Sequence, residues 1–266
     1  VGPGLAAFTR SDHRLNVGRQ VTTFADLLKR IHEEVPGIQR LRFVTSFPRD
    51  FGDDVLRVMA ESPRICRYLH VPAQSGSDRM LKLMNRQYSV SEYRGFIERA
   101  RAFMPDVMLA SDFIVGFPGE TEADFEATVE LVQGARFKNS FIFKYSPRPG
   151  TVAIDRFEDD VPEETKRRRN NELLAVQAEV SGDVHAEQVG RTFDVLVEGV
   201  STVGRKRQNN VELGWEPKTT QLTGRTTGDL IVIFEGEPSL IGKIVPITIE
   251  DAKPLTLFGT PSGVAV

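Results

Sequence analysis

Ser111-Asp112-Phe113-Ile114-Val115-Gly116-Phe117-Pro118-Gly119-Glu120-Thr121 reads as an apolar strand that runs into a glycine-rich turn and then directly into a helix. Barrel-type α/β enzymes hold cofactors at such junctions, because parallel strands present their C-terminal ends to one rim. The stretch lacks the lysine and the spacing of a P-loop, which argues against nucleoside triphosphate hydrolysis. Outward from it, strands and helices alternate. Phe24, Leu27, Leu28, Ile31 and Val35 fall at helical spacing behind Thr22 and Thr23, which can cap, and Pro36-Gly37 closes that helix. Residues 41–45 read as a strand, 54–60 as a helix, 68–71 as a strand, 78–84 and 92–103 as helices, 108–115 as a strand, 122–132 as a helix and 137–145 as a strand. Units of roughly 30 residues imply parallel strands joined by right-handed crossovers. The visible strands are too few for a closed eight-stranded barrel, so the expected fold is α/β, an incomplete (β/α) barrel.

Tyr145-Ser146-Pro147-Arg148-Pro149-Gly150-Thr151 ends this region with residues that stop regular structure. The chain then turns acidic, and Pro162-Glu163-Glu164 opens a helix on which Leu173, Leu174, Gln177 and Val180 share a side. Its run Lys166-Arg167-Arg168-Arg169 is expected to be a solvated face, with RNA contact as the alternative. From Arg191 the hydrophobic period becomes two, and glycines at 224, 228, 236 and 242 punctuate short strands, the pattern of a small antiparallel barrel. The expected division is a partial barrel over residues 1–160, a connecting helix over 161–189, an all-β barrel over 190–258 and a tail over 259–266. Residues 1–22 read as irregular.

The chain has 266 residues, 40% of them hydrophobic and 27% charged, with a net charge of -3. This suits a soluble protein with one large and one small domain; any nucleic-acid contact must come from local patches. No apolar run reaches membrane-spanning length, so no membrane partner is expected, and the lone cysteine is compatible with a cytoplasmic protein. The single cysteine, Cys66, allows no internal disulfide and no multi-cysteine metal site, and is read as a buried structural thiol. His13, His32, His70 and His185 show no metal-ligand spacing. The paired acids Asp53-Asp54 and Asp159-Asp160 read as helix-start and loop residues, so no acid/base pair is assigned.

Three segments follow predicted strands and therefore share the C-terminal rim. In residues 70–79, Gln74 can donate to and accept from a ribose hydroxyl, while Gly76 and Ser77 permit a tight turn and cap the next helix. In residues 111–121, Asp112 can accept from ribose hydroxyls and the backbone at Gly116 can approach a ligand closely; Glu120 and Thr121 are explained by capping. Residues 145–151 can line a base pocket with their backbone. Arg86, twelve residues after Gln74, can reach a carboxylate at the rim.

As a set, Gln74-Ser75-Gly76-Ser77-Asp78, Leu81-Lys82-Leu83-Met84-Asn85-Arg86, residues 111–121 and residues 145–151 resemble the radical S-adenosylmethionine methylthiotransferases. The stretch Leu41-Arg42-Phe43-Val44-Thr45-Ser46-Phe47-Pro48 is similar to that family's segment too, with Phe47 where a histidine is usual. Leu222-Thr223-Gly224-Arg225-Thr226 and Leu240-Ile241-Gly242-Lys243 resemble its TRAM domain, an OB-like barrel that grips tRNA. The resemblance implies methylthiolation of N6-isopentenyladenosine in the tRNA anticodon loop, with threonylcarbamoyladenosine tRNA or a ribosomal protein as alternative substrates; a non-catalytic RNA-binding protein is the alternative from another class. It implies S-adenosylmethionine and two [4Fe-4S] clusters as cofactors, a reducing electron donor, a sulfur donor and a monomeric enzyme. It makes Gln74, Ser75, Arg86, Asp112 and Gly116 the S-adenosylmethionine-binding residues. Cluster ligation needs several thiolates. With Cys66 alone, the sequence is expected to be the C-terminal part of a longer enzyme, inactive in isolation.

Residues 190–266 contain eight Lys/Arg and nine Asp/Glu, so this segment has no overall basic field. The RNA-binding expectation rests on Arg205-Lys206-Arg207, beside Gln208, Asn209 and Asn210, with Arg225 and Lys243 in support. Trp215 can stack on a base or pack as a core aromatic.

Overall fold

A computed structural model describes residues 15–17, 20–44, 52–201 and 220–263. Two short strands, β1 (Leu15–Val17) and β2 (Gln20–Thr22), form an antiparallel hairpin where no regular structure was expected. Helix α1 (Phe24–Glu34) begins at Thr23, whose hydroxyl accepts from the Asp26 amide while the Asp26 carboxylate accepts from the Thr23 amide. The strand expected over 41–45 is reduced to one parallel bridge, Leu41 to Ile65; position 45, like Phe47, lies outside the described residues.

Next come α2 (Asp53–Glu61), β3 (Tyr68–His70), α3 (Asp78–Leu83), α4 (Val90–Phe103), β4 (Met108–Val115), α5 (Glu122–Ala135) and β5 (Asn139–Lys144). Strands β3, β4 and β5 form a parallel sheet in that order. Along β4, Phe113 and Val115 point into the helix layer and are fully buried, while Asp112 and Ile114 face the other way. Capping boxes start α4 (Ser89 with Glu92) and α5 (Thr121 with Asp124), so both helices begin where local hydrogen bonding satisfies their first amides. The short helix α6 (Val152–Arg156), after the 145–151 stretch and where no helix was expected, precedes the 24-residue α7 (Glu163–Ala186).

Helix α7 lies along β5: Gln177 Nε2 donates to the Phe137 carbonyl at 3.0 Å and Asn170 Nδ2 to the Ile142 carbonyl at 3.3 Å. These amides satisfy carbonyls on and just before a strand that, among the described residues, has β4 as its one strand neighbour. Strands β6 (Thr192–Val200), β7 (Thr220–Arg225), β8 (Ile231–Gly236), β9 (Ile244–Lys253) and β10 (Thr256–Pro261) close into a five-stranded barrel. Because Pro261 still pairs with Ile247, the last strand crosses the expected boundary at 258. The fold is thus a partial α/β barrel followed by a small all-β barrel.

The β7–β8 turn seals the N-terminal end of the parallel sheet. Met108, at the start of β4, packs against the core of the small barrel, and Lys138, just before β5, donates to the Asp229 carboxylate at 2.8 Å and to its carbonyl at 2.7 Å. Arg42 and Arg225 each reach the second Asp229 oxygen at 2.9 Å. Burial pushes the Lys138 ammonium down, and Asp229 opposes that; burial likewise raises Asp229, but the three cations hold it below its ordinary value.

Candidate cofactor site at the sheet rim

At the opposite, C-terminal end of the sheet the chain builds a cavity of about 720 Å³. Its floor is formed by Ile114 of β4, Phe117 and Arg86 just beyond α3; its outer lip by the exposed Phe143, Lys144, Ser146 and Arg148 and by α6. Phe117 packs edge-on against Tyr145 at 5.0 Å and Phe157 at 5.7 Å, so one wall is an aromatic cluster.

The expected site residues separate into three groups. Arg86 lines the cavity, as do Tyr145, Ser146, Arg148 and Thr151 of the expected 145–151 segment. Asp112 lies on the same sheet face as Ile114, one strand pair below it. Its Oδ1 meets His70 Nε2 at 2.9 Å, and the His70 ring stacks on Phe141 at 5.8 Å. His70 is therefore part of this face, where its lack of metal-ligand spacing had left it without a role. Gln74 extends the sheet: its amide donates to the Asp112 carbonyl and its carbonyl accepts from Ile114, with φ at 70°. Ser75 is turned inward, its hydroxyl 3.3 Å from Thr128 of α5 and accepting from the Ser77 amide. A Cβ on Gly76 would fall on the Ala127 backbone, so only glycine lets this loop pack on α5.

Gly116 is the pivot of the rim turn. Its φ is +72°, and a Cβ there would fall on the aliphatic stem of Lys166 from α7. Its amide donates to Glu120 Oε2 at 2.6 Å, and the same oxygen takes Arg169 Nη1 at 2.9 Å. Glu120 therefore does more than precede a cap. Burial pushes its carboxyl up, although the Gly116 amide and Arg169 pull the other way. Among the described residues its Oε1 and the Arg169 Nε have no hydrogen-bond partner.

The Lys166 to Arg169 run is thus only half a solvated face: Arg167 and Arg168 are exposed, while Lys166 and Arg169 turn inward. The side chains of Lys166 and Arg169 are only 4% and 5% exposed. Lys166 Nζ is held by Asp159 at 2.5 and 2.7 Å, and Arg168 and Arg169 both reach Glu122. Nor are Asp159 and Asp160 idle loop acids, since Asp160 accepts from the Gly119 amide at 2.7 Å. The partners lie up to 49 residues away in sequence, where helical periodicity carries no signal.

On the small barrel, Arg225 is committed to Glu198 at 3.2 Å and Asp229 at 2.9 Å, while Lys243 is exposed. Arg205, Lys206, Arg207 and Trp215 lie outside the described residues.

A radical SAM superfamily model matches residues 18–132 and a TRAM domain model residues 186–261. The chain is 44% identical over 245 residues to the tRNA-2-methylthio-N(6)-dimethylallyladenosine synthase of Rhodopirellula baltica, covering 92% of this chain and 50% of that protein. Through both modules the chain is similar to enzymes of the radical S-adenosylmethionine methylthiotransferase family. Like-named proteins of Acetivibrio thermocellus and Salmonella arizonae are 41% and 44% identical over 90% and 89% of this chain, covering 46% and 47% of theirs. The chain therefore spans about half the length of the curated relatives it matches. Among solved structures, coproporphyrinogen III oxidase from Escherichia coli, a radical SAM enzyme, aligns at 20% identity and TM-score 0.44 over 54% of this chain and 32% of that one.

The radical SAM match implies S-adenosylmethionine and an iron-sulfur cluster. The rim fits the first, with an arginine in the floor and aromatic walls. These residues do not fit the second. Cys66 is the sole thiol, it is buried, and burial pushes it up, away from the thiolate that ligation needs. Among the described residues no group of His, Cys, Asp and Glu could hold a metal ion, and no helix is long and apolar enough to cross a membrane.

Proposed function

We propose that the complete protein transfers a methylthio group to N6-isopentenyladenosine in the tRNA anticodon loop, and that this chain supplies much of its S-adenosylmethionine pocket and its RNA-binding barrel. The observation that carries this reading is one collinear match, through both modules, to proteins named for that reaction. Asp112, whose Oδ1 is steadied by His70, and Gln74 would take the ribose hydroxyls. Arg86 would take the carboxylate of the methionine moiety, and the Gly116 backbone would lie beside the nucleoside. Ser75, turned toward Thr128, would shape the loop that presents Gln74. S-Adenosylmethionine supplies the radical when reductively cleaved. Both [4Fe-4S] clusters would depend on cysteines beyond this sequence, together with electron and sulfur donors. A monomeric, cytoplasmic enzyme agrees with this reading.

The test is to extend the reading frame upstream and assay the longer protein anaerobically by mass spectrometry of tRNA nucleosides. The methylthio product is expected from the longer protein and not from these 266 residues. An upstream frame without a CxxxCxxC motif would overturn the enzymatic reading. For the pocket, Asp112→Ala should weaken binding of S-adenosylhomocysteine roughly tenfold, as loss of a charge-assisted hydrogen bond does, and leave tRNA affinity unchanged. Equal losses in both would remove Asp112 from the pocket.

A further inference from the structure

If RNA binding fell to the TRAM barrel alone, its charge would be a poor match: residues 190–266 carry slightly more acids than bases, and Arg225 is spent on Glu198 and Asp229. The rim cavity has the opposite character. Arg86, Lys144, Arg148 and Arg156 line it, and no carboxylate does. Lys144 is paired with Glu163, but among the described residues Arg148 and Arg156 make no ion pair, and both are exposed on the lip. The neighbouring acids Asp159 and Asp160 turn away, onto Lys166 and the Gly119 amide, and Asp155 and Glu158 line no part of the cavity.

Phe143 lines the same cavity, 54% exposed and the next residue on its face of β5 after Phe141. An aromatic face this open, beside two uncommitted guanidinium groups, is what an unstacked base and its flanking phosphates need. A free nucleotide would fit the same chemistry, but the charges stand on the outer lip rather than in the floor, where a continuing strand can pass between them. Lys243 is exposed on the barrel, whose β7–β8 turn is docked at the other end of the sheet.

We propose that the lip formed by Phe143, Arg148 and Arg156 is a second RNA site, on the partial barrel, where a single-stranded segment places one base on Phe143 and its neighbouring phosphates on the two arginines. The assignment rests on the tRNA reading above. It makes the radical SAM module, and not the TRAM barrel alone, a determinant of RNA affinity.

The test measures binding of an unmodified tRNA transcript to the full 266-residue chain over a salt series. Arg148→Gln with Arg156→Gln should reduce the slope of log affinity against log salt by roughly 1.4 to 2. Phe143→Ala should weaken binding about 5- to 150-fold with little change in slope. Far-UV circular dichroism and the denaturant midpoint should match wild type in both variants. The charge control is Arg57→Gln with Arg94→Gln, two exposed arginines on α2 and α4, and its slope should stay at the wild-type value. Unchanged slope and affinity in the lip variants, with tRNA still bound, would overturn the lip site alone. An equal slope change in the control would overturn it as well, by reducing the effect to net charge. A wild-type chain that does not bind tRNA would overturn both the lip site and the tRNA reading of this chain.

Discussion

The two ends of the parallel sheet are each built around buried charge, and they use it differently. At the N-terminal end, Asp229 takes Arg42 and Arg225 on one carboxylate oxygen and Lys138 on the other, and its carbonyl takes Lys138 again. At the C-terminal rim, Arg169 and Glu120 are as deeply buried, yet Glu120 Oε1 and Arg169 Nε have no hydrogen-bond partner among the described residues, and a cavity opens beside their turn. A saturated cluster holds two modules in one orientation. An unsaturated one holds a turn in shape while polar capacity remains beside a pocket, which is how a site differs from a joint.

Breaking the joint should have the largest effect. Asp229→Ala leaves Lys138 buried without its counter-charge, which costs about 3 to 5 kcal/mol. Denaturant unfolding should shift to lower midpoint, with the small barrel and the sheet separating into two transitions. A single transition at the wild-type midpoint would mean that the joint is dispensable. At the rim, Gly116→Ala forces a side chain into the left-handed region and onto Lys166, for roughly 2 to 3 kcal/mol. Shortening the obstacle in Gly116→Ala with Lys166→Ala should recover less than the whole loss, because the backbone strain remains and Asp159 loses its partner. Complete recovery would show that the turn's backbone conformation matters little.

The smallest effect sharpens the comparison by pH. Burial raises Asp124, but hydrogen bonds from Arg79, Ser77 and Thr121 outweigh it and hold the carboxyl well below its ordinary value of 3.8. A carboxylate depressed in the folded state contributes stability that is present above about pH 4 and is lost as pH falls toward its folded value. Asp124→Asn should therefore flatten the acid limb of a stability profile between pH 5 and pH 2, while an unaltered limb would exclude Asp124 as its source. Arg79 is first among these donors, and because its side chain is half exposed solvent screens part of its effect, leaving the rest to the hydroxyl and amide donors.

Much of this was legible in the chain. The alternation of strands and helices, the Thr121 and Ser77 caps and the glycine-rich turn at the end of β4 are local or periodic, and short-range physics is written in short spacings. Helix α6 was missed because five residues are too few to show a period. The burial of Lys166 and Arg169 was missed for another reason: four consecutive cations look solvated until Asp159, Glu120 and Glu122 arrive from other elements to pair with them. Arg225 was expected at RNA and was found beside Asp229, whose own partner Lys138 lies 91 residues away.

The sequence by itself determined which elements form, where they start and stop, and the family to which their motifs point, because propensity, capping and patterning act within a few residues. Only the tertiary structure decided which charges are buried, that the TRAM turn closes one end of the sheet, and that Phe143, Arg148 and Arg156 share the lip of a cavity at the other. Desolvation and pairing depend on what is brought alongside, and that is a property of the packed chain rather than of any stretch of it.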